Sequence, residues 1–399
     1  MITLFGRSWS REALDARIGQ FSQIAGVTLV TLADGAARGV RALLFRTGSG
    51  LEFWVLVDRA FDIARCQFRG IELGWQSPVG IRAPWLHEVN DEGGASFHRS
   101  FSGFLVTGGL DHTGAPYRES AARYFAPDRS TVEQPLHGRL MATPGQLLAY
   151  GHEWRGDRCV LFCEGVVSQV AVFGEHLVLT RRYETEVGAS SFTIRDHVRN
   201  HSFYVTPHML LYHINLGFPL LDAGAEFLAP TRRIRWAMRD TRDDGIGYRF
   251  QVGPRSNCTE QVYVHDVAES LDGTVCAALI NRDIENGGLG VAIEYNRRQL
   301  PYLVQWQNFQ AGSYCMAIEP STAHALGRAH AESHAELAWL KHGDERTYDL
   351  RVSVLSGPRE VMGFEAASHE RAPEPPDPFA APLEGFGDKS ASSYASSGT

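Results

Sequence analysis

Three short segments of this 399-residue chain place ionisable side chains inside apolar surroundings. They are Leu136-His137-Gly138-Arg139-Leu140, the stretch from Asn200 through Pro207-His208-Met209-Leu210-Leu211-Tyr212-His213-Ile214-Asn215-Leu216-Gly217-Phe218, and Ala317-Ile318-Glu319-Pro320. A carboxylate that follows Met316-Ala317-Ile318 and an imidazole that follows Leu210-Leu211-Tyr212 are expected to be at least partly desolvated. Burial disfavours the charged form of each, moving a glutamate up from about 4.3 and a histidine down from about 6.5. Such a pair can exchange a proton near neutral pH, which is what general acid–base catalysis needs. His213 and Glu319 are therefore the expected catalytic residues. The plainer alternatives are a hydrogen-bonded core histidine and a glutamate held in an ion pair with Arg139 or Arg59.

The same residues bear on metal binding. His208 and His213 are five apart, so on one regular strand they project to opposite faces and share an ion only across a bulge or turn, which Pro207 leaves open. His137, His213 and Glu319 have the composition of a two-histidine, one-carboxylate site, but no short ligand spacing such as H-x-H supports it, and neither a metal nor a cofactor is expected. His330 and His334, four apart, would share a helix face. Their segment reads instead as loop and strand, which leaves both in solvent.

Elements that could hold these groups are strands. The chain has 40 glycines, and short apolar runs alternate with turn residues, leaving little room for helices. Leu177 to Glu186 and Phe192 to Val198 flank Gly188-Ala189-Ser190-Ser191 and read as a β-hairpin. Similar runs lie at Phe53 to Val57, Val160 to Val167, Val275 to Ile280, Leu289 to Tyr295 and Tyr348 to Leu355. Many strands in series argue for a sandwich and against a βαβ fold. Residues 323–340 favour helix by local propensity, yet Glu336 to Leu340, the turn at Gly343-Asp344 and the run from Tyr348 together suggest a hairpin. Asp58, Arg59 and Asp62 alternate with apolar residues and read as a buried ion-pair network. One unit over 1–362 is expected, with lead-in strands in 1–50. The Pro- and Ser-rich stretch 363–399 is expected to be a disordered tail, Ser390 to Thr399 above all.

Composition removes several function classes. Lys plus Arg total 38 against 46 for Asp plus Glu, and the net charge of -8 gives no attraction to nucleic acid or anionic lipid. The N-terminus lacks the basic and apolar regions of a secretory signal, and no apolar run is long enough to span a bilayer. Six scattered cysteines without C-x-x-C pairs fit reduced thiols, so the expected compartment is the cytoplasm.

The order Leu-His-Gly, then an Asn followed by Pro-x-x-Leu-x-Tyr-His and Asn-x-Gly-Phe, then Ile-Glu-Pro, resembles the aldose 1-epimerase (galactose mutarotase-like) superfamily. Within it the chain most resembles the domain-of-unknown-function 4432 branch. The resemblance runs from about Asp58 to Gly357 and includes Asp58-Arg59-Ala60-Phe61-Asp62-Ile63, Gly103 to Leu110, Tyr212 to Asp222 and Leu300 to Trp306. It implies an all-β, galactose mutarotase-like antiparallel β-supersandwich with a sugar site in a concave face. It also implies that Glu319 takes the proton of an anomeric hydroxyl while His213 protonates the ring oxygen, and that His137 helps hold the sugar. Arg139, His208, Asn215 and Gln305 are expected to join His137 in binding substrate. Arg139 stands where mutarotases carry a second glycine, and its forked donors suit a carboxylate, so the substrate is expected to be a sugar or sugar acid. Trp75, Trp306 and Tyr212 are candidates to stack on a pyranose, though apolar neighbours favour the core. Isomerisation next to the carbonyl, and sugar binding without catalysis, are the competing functions.

Overall fold

Period-two alternation of buried and exposed residues builds the architecture. The computed structural model describes residues 1–123, 130–237, 245–284, 287–373, 376–377 and 381–383. Along His176–Glu186, Leu177, Leu179 and Tyr183 are buried while Val178, Thr180 and Arg182 are only half-buried. This strand lies in a sheet of eight whose spatial order is Gln146–Arg155, Arg158–Val170, His176–Glu186, Ser191–Asn200, Glu345–Ser356, Leu289–Asn296, Thr274–Asn281 and Glu226–Leu228. The expected hairpin is present, with Tyr183 across from Ile194. One face of this sheet carries charge pairs such as Arg195 with Asp349 at 2.8 Å. The other face is apolar.

That apolar face packs on a second sheet. Its main path runs Ala381–Pro382, Thr231–Trp236, Gln261–Val267, Tyr302–Asn308, Cys315–Ser321, Thr206–Leu216, Leu105–Leu110, Asp62–Phe68, Leu51–Leu56, Arg41–Arg46 and Gly26–Thr31. Neighbours pair antiparallel apart from the short parallel contact of Ala381–Pro382 with Arg235 and Trp236. One continuous core fills the space between the sheets, joining Leu179, Phe192, Ile293 and Val352 from the first to Phe53, Leu105, Tyr212 and Ile318 from the second. The fold is thus the all-β antiparallel supersandwich that the strand series implies.

Strand Thr206–Leu216 is buried at every position, which alternation alone would not produce. Its even-numbered side chains enter the core, and its odd-numbered ones face outward under other segments. A smaller apolar cluster of Trp75, Phe97, Phe101, Val106 and Met141 covers this outer side. Sheets buried on both faces read as continuous apolar runs, as Met209-Leu210-Leu211-Tyr212 does.

Ionic groups cross the core where they are fully paired. Arg181 bonds Asp196 at 2.7 Å and Asp62 at 3.0 Å, and Thr107 and Tyr212 donate to the same two carboxylates. The expected network of Asp58, Arg59 and Asp62 is thereby divided. Asp58 takes Arg41, Asp62 takes Arg181, and the terminal nitrogens of buried Arg59 find no hydrogen-bond partner among the described residues.

Three expectations need correction. Ala338–Leu340 is a strand, but it pairs with Thr206–His208 and not with Glu345–Ser356, which is occupied on both edges by Ser191–Asn200 and Leu289–Asn296. Arg328–Ser333 is helical, as local propensity favoured, so His330 lies on a helix and His334 caps its C-terminus. A helix over Pro358–Arg371 also extends into the stretch read as tail, held by Val361 against Ile280 and Ala292. Ser390 to Thr399 lie outside the described residues. No helix among the described residues is long and apolar enough to cross a membrane.

The two sheets meet most tightly at Phe61. A Cβ on Gly165 would lie 1.9 Å from its ring, so only glycine fits beneath it. Gly165→Ala is expected to lower stability by about 1–3 kcal/mol, the usual cost of overpacking. Urea melts of Gly165→Ala, Phe61→Leu and the double variant check this, with the double variant less destabilised than the sum of the singles.

Candidate functional site

Two strands of the larger sheet bring the acid–base candidates together. Thr206–Leu216 pairs antiparallel with Cys315–Ser321 in the register Leu211 to Ser321 and Ile214 to Ile318, which sets His213 across from Glu319 on the outer face. Directly opposed residues in an antiparallel pair bring their side chains together. His213 Nε2 lies 3.3 Å from Glu319 Oε1, and the residues are 5% and 2% exposed. The contact is close but not aligned as a hydrogen bond, for Glu319 Oε1 and His213 Nδ1 have no hydrogen-bond partner among the described residues.

Burial sets the protonation of this pair. It lowers His213 to about 3, with Asn215, two residues on and on the same face, opposing the shift. It raises Glu319 to about 8, and the neighbouring Glu260 pushes in the same direction. Each group avoids charge in this setting. At neutral pH the pair therefore holds one proton between them, on the carboxyl, facing a neutral imidazole.

Aromatic rings enclose the pair. Phe101 and Trp306 lie edge-on to the His213 ring at 5.0 and 5.5 Å, and Trp306 Nε1 donates to Glu260 at 2.8 Å. Trp75 and Phe97 pack on Phe101 at 5.1 and 4.7 Å. Phe97 and Phe101 come from the segment that follows the 3-10 turn Asp91–Gly94 and lies across the outer face.

His137 arrives from a loop. Its backbone is left-handed, with φ 54°, and it bonds strand Leu105–Leu110 through Gly109 N to His137 O at 2.9 Å. Gly138 has φ 80°, and a Cβ there would come within 2.4 Å of Gly109 O. The glycine of Leu-His-Gly is required for this close approach. The half-buried His137 ring stands 5.8 Å from that of His213, nearly perpendicular, and 5.2 Å from Phe97. Burial, then His213, His112 and His98, hold it well below the ordinary histidine range.

With this geometry in view, comparison with known proteins is informative. The family described as Domain of unknown function (DUF4432) matches residues 37–354. The chain belongs to this family. No curated protein matches it at a significant level. Among solved structures, a Klebsiella pneumoniae protein provisionally named an aldose 1-epimerase is 24% identical, with 90% of each chain covered and a TM-score of 0.79. A galactose mutarotase-like protein from Clostridium acetobutylicum is 13% identical over 82% of this chain and 98% of its own, with a TM-score of 0.53. At these identities the likeness establishes the galactose mutarotase-like fold.

The remaining expected binding residues separate. Asn215 shares the face of His213 and donates to Gly103 O at 2.9 Å. Arg139 turns from the pair: its guanidinium donates to Gln134 Oε1 and Glu133 O. His208 is a correction, because five residues along the strand it faces the core, bonded to Leu110 O at 2.8 Å and Tyr348 OH at 2.7 Å. Gln305 is another, since it pairs with Ile318, one residue off Glu319, and its amide is taken by His265 and Tyr248 O in the core. Tyr212 is likewise core. Phe97, Phe101 and Glu260 were not anticipated. The spacing of Phe97 and Phe101 in the polar run Phe97-His98-Arg99-Ser100-Phe101 was the one available signal.

The ion-pair reading of Glu319 also finds no cation. No Arg or Lys pairs with it among the described residues. A raised carboxyl pKa favours folding most below about 4.5 and loses that contribution as pH rises through about 8. Glu319→Gln lacks this dependence, so its melting temperature is expected to match wild type at pH 5 and to exceed it at pH 9. An ion-pair partner would instead cost about 3–5 kcal/mol when neutralised, and calorimetry at the two pH values separates the readings.

Proposed function

We propose that this protein is a sugar-active enzyme of the aldose 1-epimerase (mutarotase) type, moving one proton on a monosaccharide or sugar acid. The observation that carries this reading is the desolvated His213–Glu319 contact, holding a single proton beneath an aromatic cover. Opening a cyclic hemiacetal removes a proton from the anomeric hydroxyl and places one on the ring oxygen; closing reverses both. A pair with one proton has one site ready to give and one ready to take, so the cycle needs no net exchange with solvent.

In the proposed assignment Glu319 accepts the anomeric proton and His213 protonates the ring oxygen. Since the proton rests on Glu319 in the sugar-free state, it crosses the 3.3 Å to His213 as the sugar hydroxyls enter and solvate the carboxylate. His137 and Asn215 are proposed to hold the sugar, and Trp306 to offer its ring to an apolar pyranose face. Arg139 donates to Gln134 Oε1 and Glu133 O, so it is proposed to position the Leu-His-Gly loop.

The test is proton NMR with a panel of free sugars and uronic acids. Anomeric exchange without a new product supports this reading. A new sugar identifies isomerisation, and line broadening without exchange identifies binding alone. Glu319→Gln is expected to lower kcat by about 10²–10⁴-fold with KM little changed, since the amide keeps the shape but accepts no proton.

A pH profile gives a second check. The pair loses its proton above about 8, so kcat/KM is expected to be flat through neutrality and to fall on the alkaline side. Because Glu260 helps hold that proton, Glu260→Gln is expected to move the falling limb to lower pH.

A further inference from the structure

Segment 322–337 leaves the glutamate strand just beyond Ser321 and folds over the neighbouring sheet surface. Ala323 and Ala331 pack on Met209, and Arg328 reaches Asp111 at 2.9 Å and Glu119 at 2.5 Å, so both ends of the segment are anchored. Within it, helix Arg328–Ser333 brings the rings of His330 and His334 into a stack with centroids 3.9 Å apart. His324 Nδ1 meets Glu336 Oε1 at 2.6 Å, and the His324 backbone N–H donates to Glu336 Oε2 at 3.1 Å. One ligand atom from each of His324, His330 and Glu336 lies within 4.8 Å of the others, and all three residues are half-buried.

We propose that His324, His330 and Glu336 form a binding site for a divalent transition-metal ion of the zinc class, with His334 beside them at the helix C-terminus. Two imidazoles and a carboxylate suit zinc, nickel or copper and disfavour magnesium or calcium, which take oxygen ligands. Zinc–nitrogen bonds of about 2.0–2.1 Å place tetrahedral ligand atoms about 3.3 Å apart. Donor atoms within 4.8 Å of one another are near enough for side-chain rotation to reach that geometry. Half burial leaves the ion a path from solvent, and the Tyr302 ring, 4.3 Å from that of His324, braces one ligand.

An ion pair between His324 and Glu336 explains two of these groups. His330 adds a third donor beside them, its ring 6.0 Å from that of His324. The site is also separate from His137, His213 and Glu319, which have the same composition on a different part of the sheet. Bound metal would tie residue 324 to residue 336 and fasten the segment whose Arg328 joins Asp111 and Glu119, the carboxylate to which Gln134 donates beside the Leu-His-Gly loop.

The experiment uses the full chain, stripped with a chelator and titrated with zinc chloride by calorimetry, with a thermal melt at each loading. One zinc per chain and a higher melting temperature are expected. His330→Ala and Glu336→Gln are each expected to weaken binding by at least tenfold, and circular dichroism of each apo variant checks folding. Glu319→Gln is expected to keep full zinc stoichiometry. The proposal is overturned by no zinc uptake in the wild type, by uptake undiminished in both folded variants, or by loss of uptake in Glu319→Gln, which would put the ion at the other cluster.

Discussion

The pairing register between Thr206–Leu216 and Cys315–Ser321 is the constraint on which the site depends. With Ile214 held opposite Ile318, His213 and Glu319 necessarily face each other across the sheet. A slip of one residue would turn His213 into the core and bring Tyr212 out, since side chains alternate along a strand. The register is in turn locked from the other side. Tyr212 donates to Asp196, Asp196 binds Arg181, and Arg181 binds Asp62, so a buried charge network tied to both sheets holds the strand that carries His213.

The same strand explains the chemistry of the pair. Because its outward side chains lie under Phe101, Trp306 and their neighbours, His213 and Glu319 lose water without gaining a fixed counter-charge. Desolvation then moves one pKa down and the other up, leaving a proton shared by two groups that both resist ionisation. A fixed arginine beside Glu319 would have kept it ionised and removed that property. The guanidinium of Arg139 is instead bonded to Gln134 and Glu133.

A polar chain behind His137 joins parts of the molecule far apart in sequence. Arg139 bonds Gln134, Gln134 donates to Glu119, Glu119 and Asp111 bind Arg328, and Gln169 donates to Asp111. Apart from the half-buried Arg139 these groups are buried, so each needs its partner. The loop that bears His137 and the helix that bears His330 are thus parts of one hydrogen-bonded assembly, which joins the proposed metal site to the His213–Glu319 cluster.

Much of this was legible in the sequence, because it follows from local pattern. Period-two alternation marked the hairpin of Leu177 to Val198 and the sandwich, and apolar flanks marked His213 and Glu319 as desolvated. Parity along the strand also separated His208 from His213. What local pattern does not carry is the partner of each group. His208 and Gln305 sit in polar-rich segments like those of His213 and Glu319, yet their side chains point into the core, where Tyr348 and His265 from distant strands receive them. Arg139 is beside His137 in the chain but is drawn away by Gln134. Ala338–Leu340 has strand character, and only the crowded edges of Glu345–Ser356 decide that it pairs with Thr206–His208. The helix at Arg328–Ser333 was favoured by propensity and settled by Arg328, whose buried bonds to Asp111 and Glu119 span more than two hundred residues of sequence. Strand character, burial and parity are properties of neighbours in the chain, whereas hydrogen-bond and charge partners are set by which strands lie side by side, and that is decided only when the whole sandwich closes.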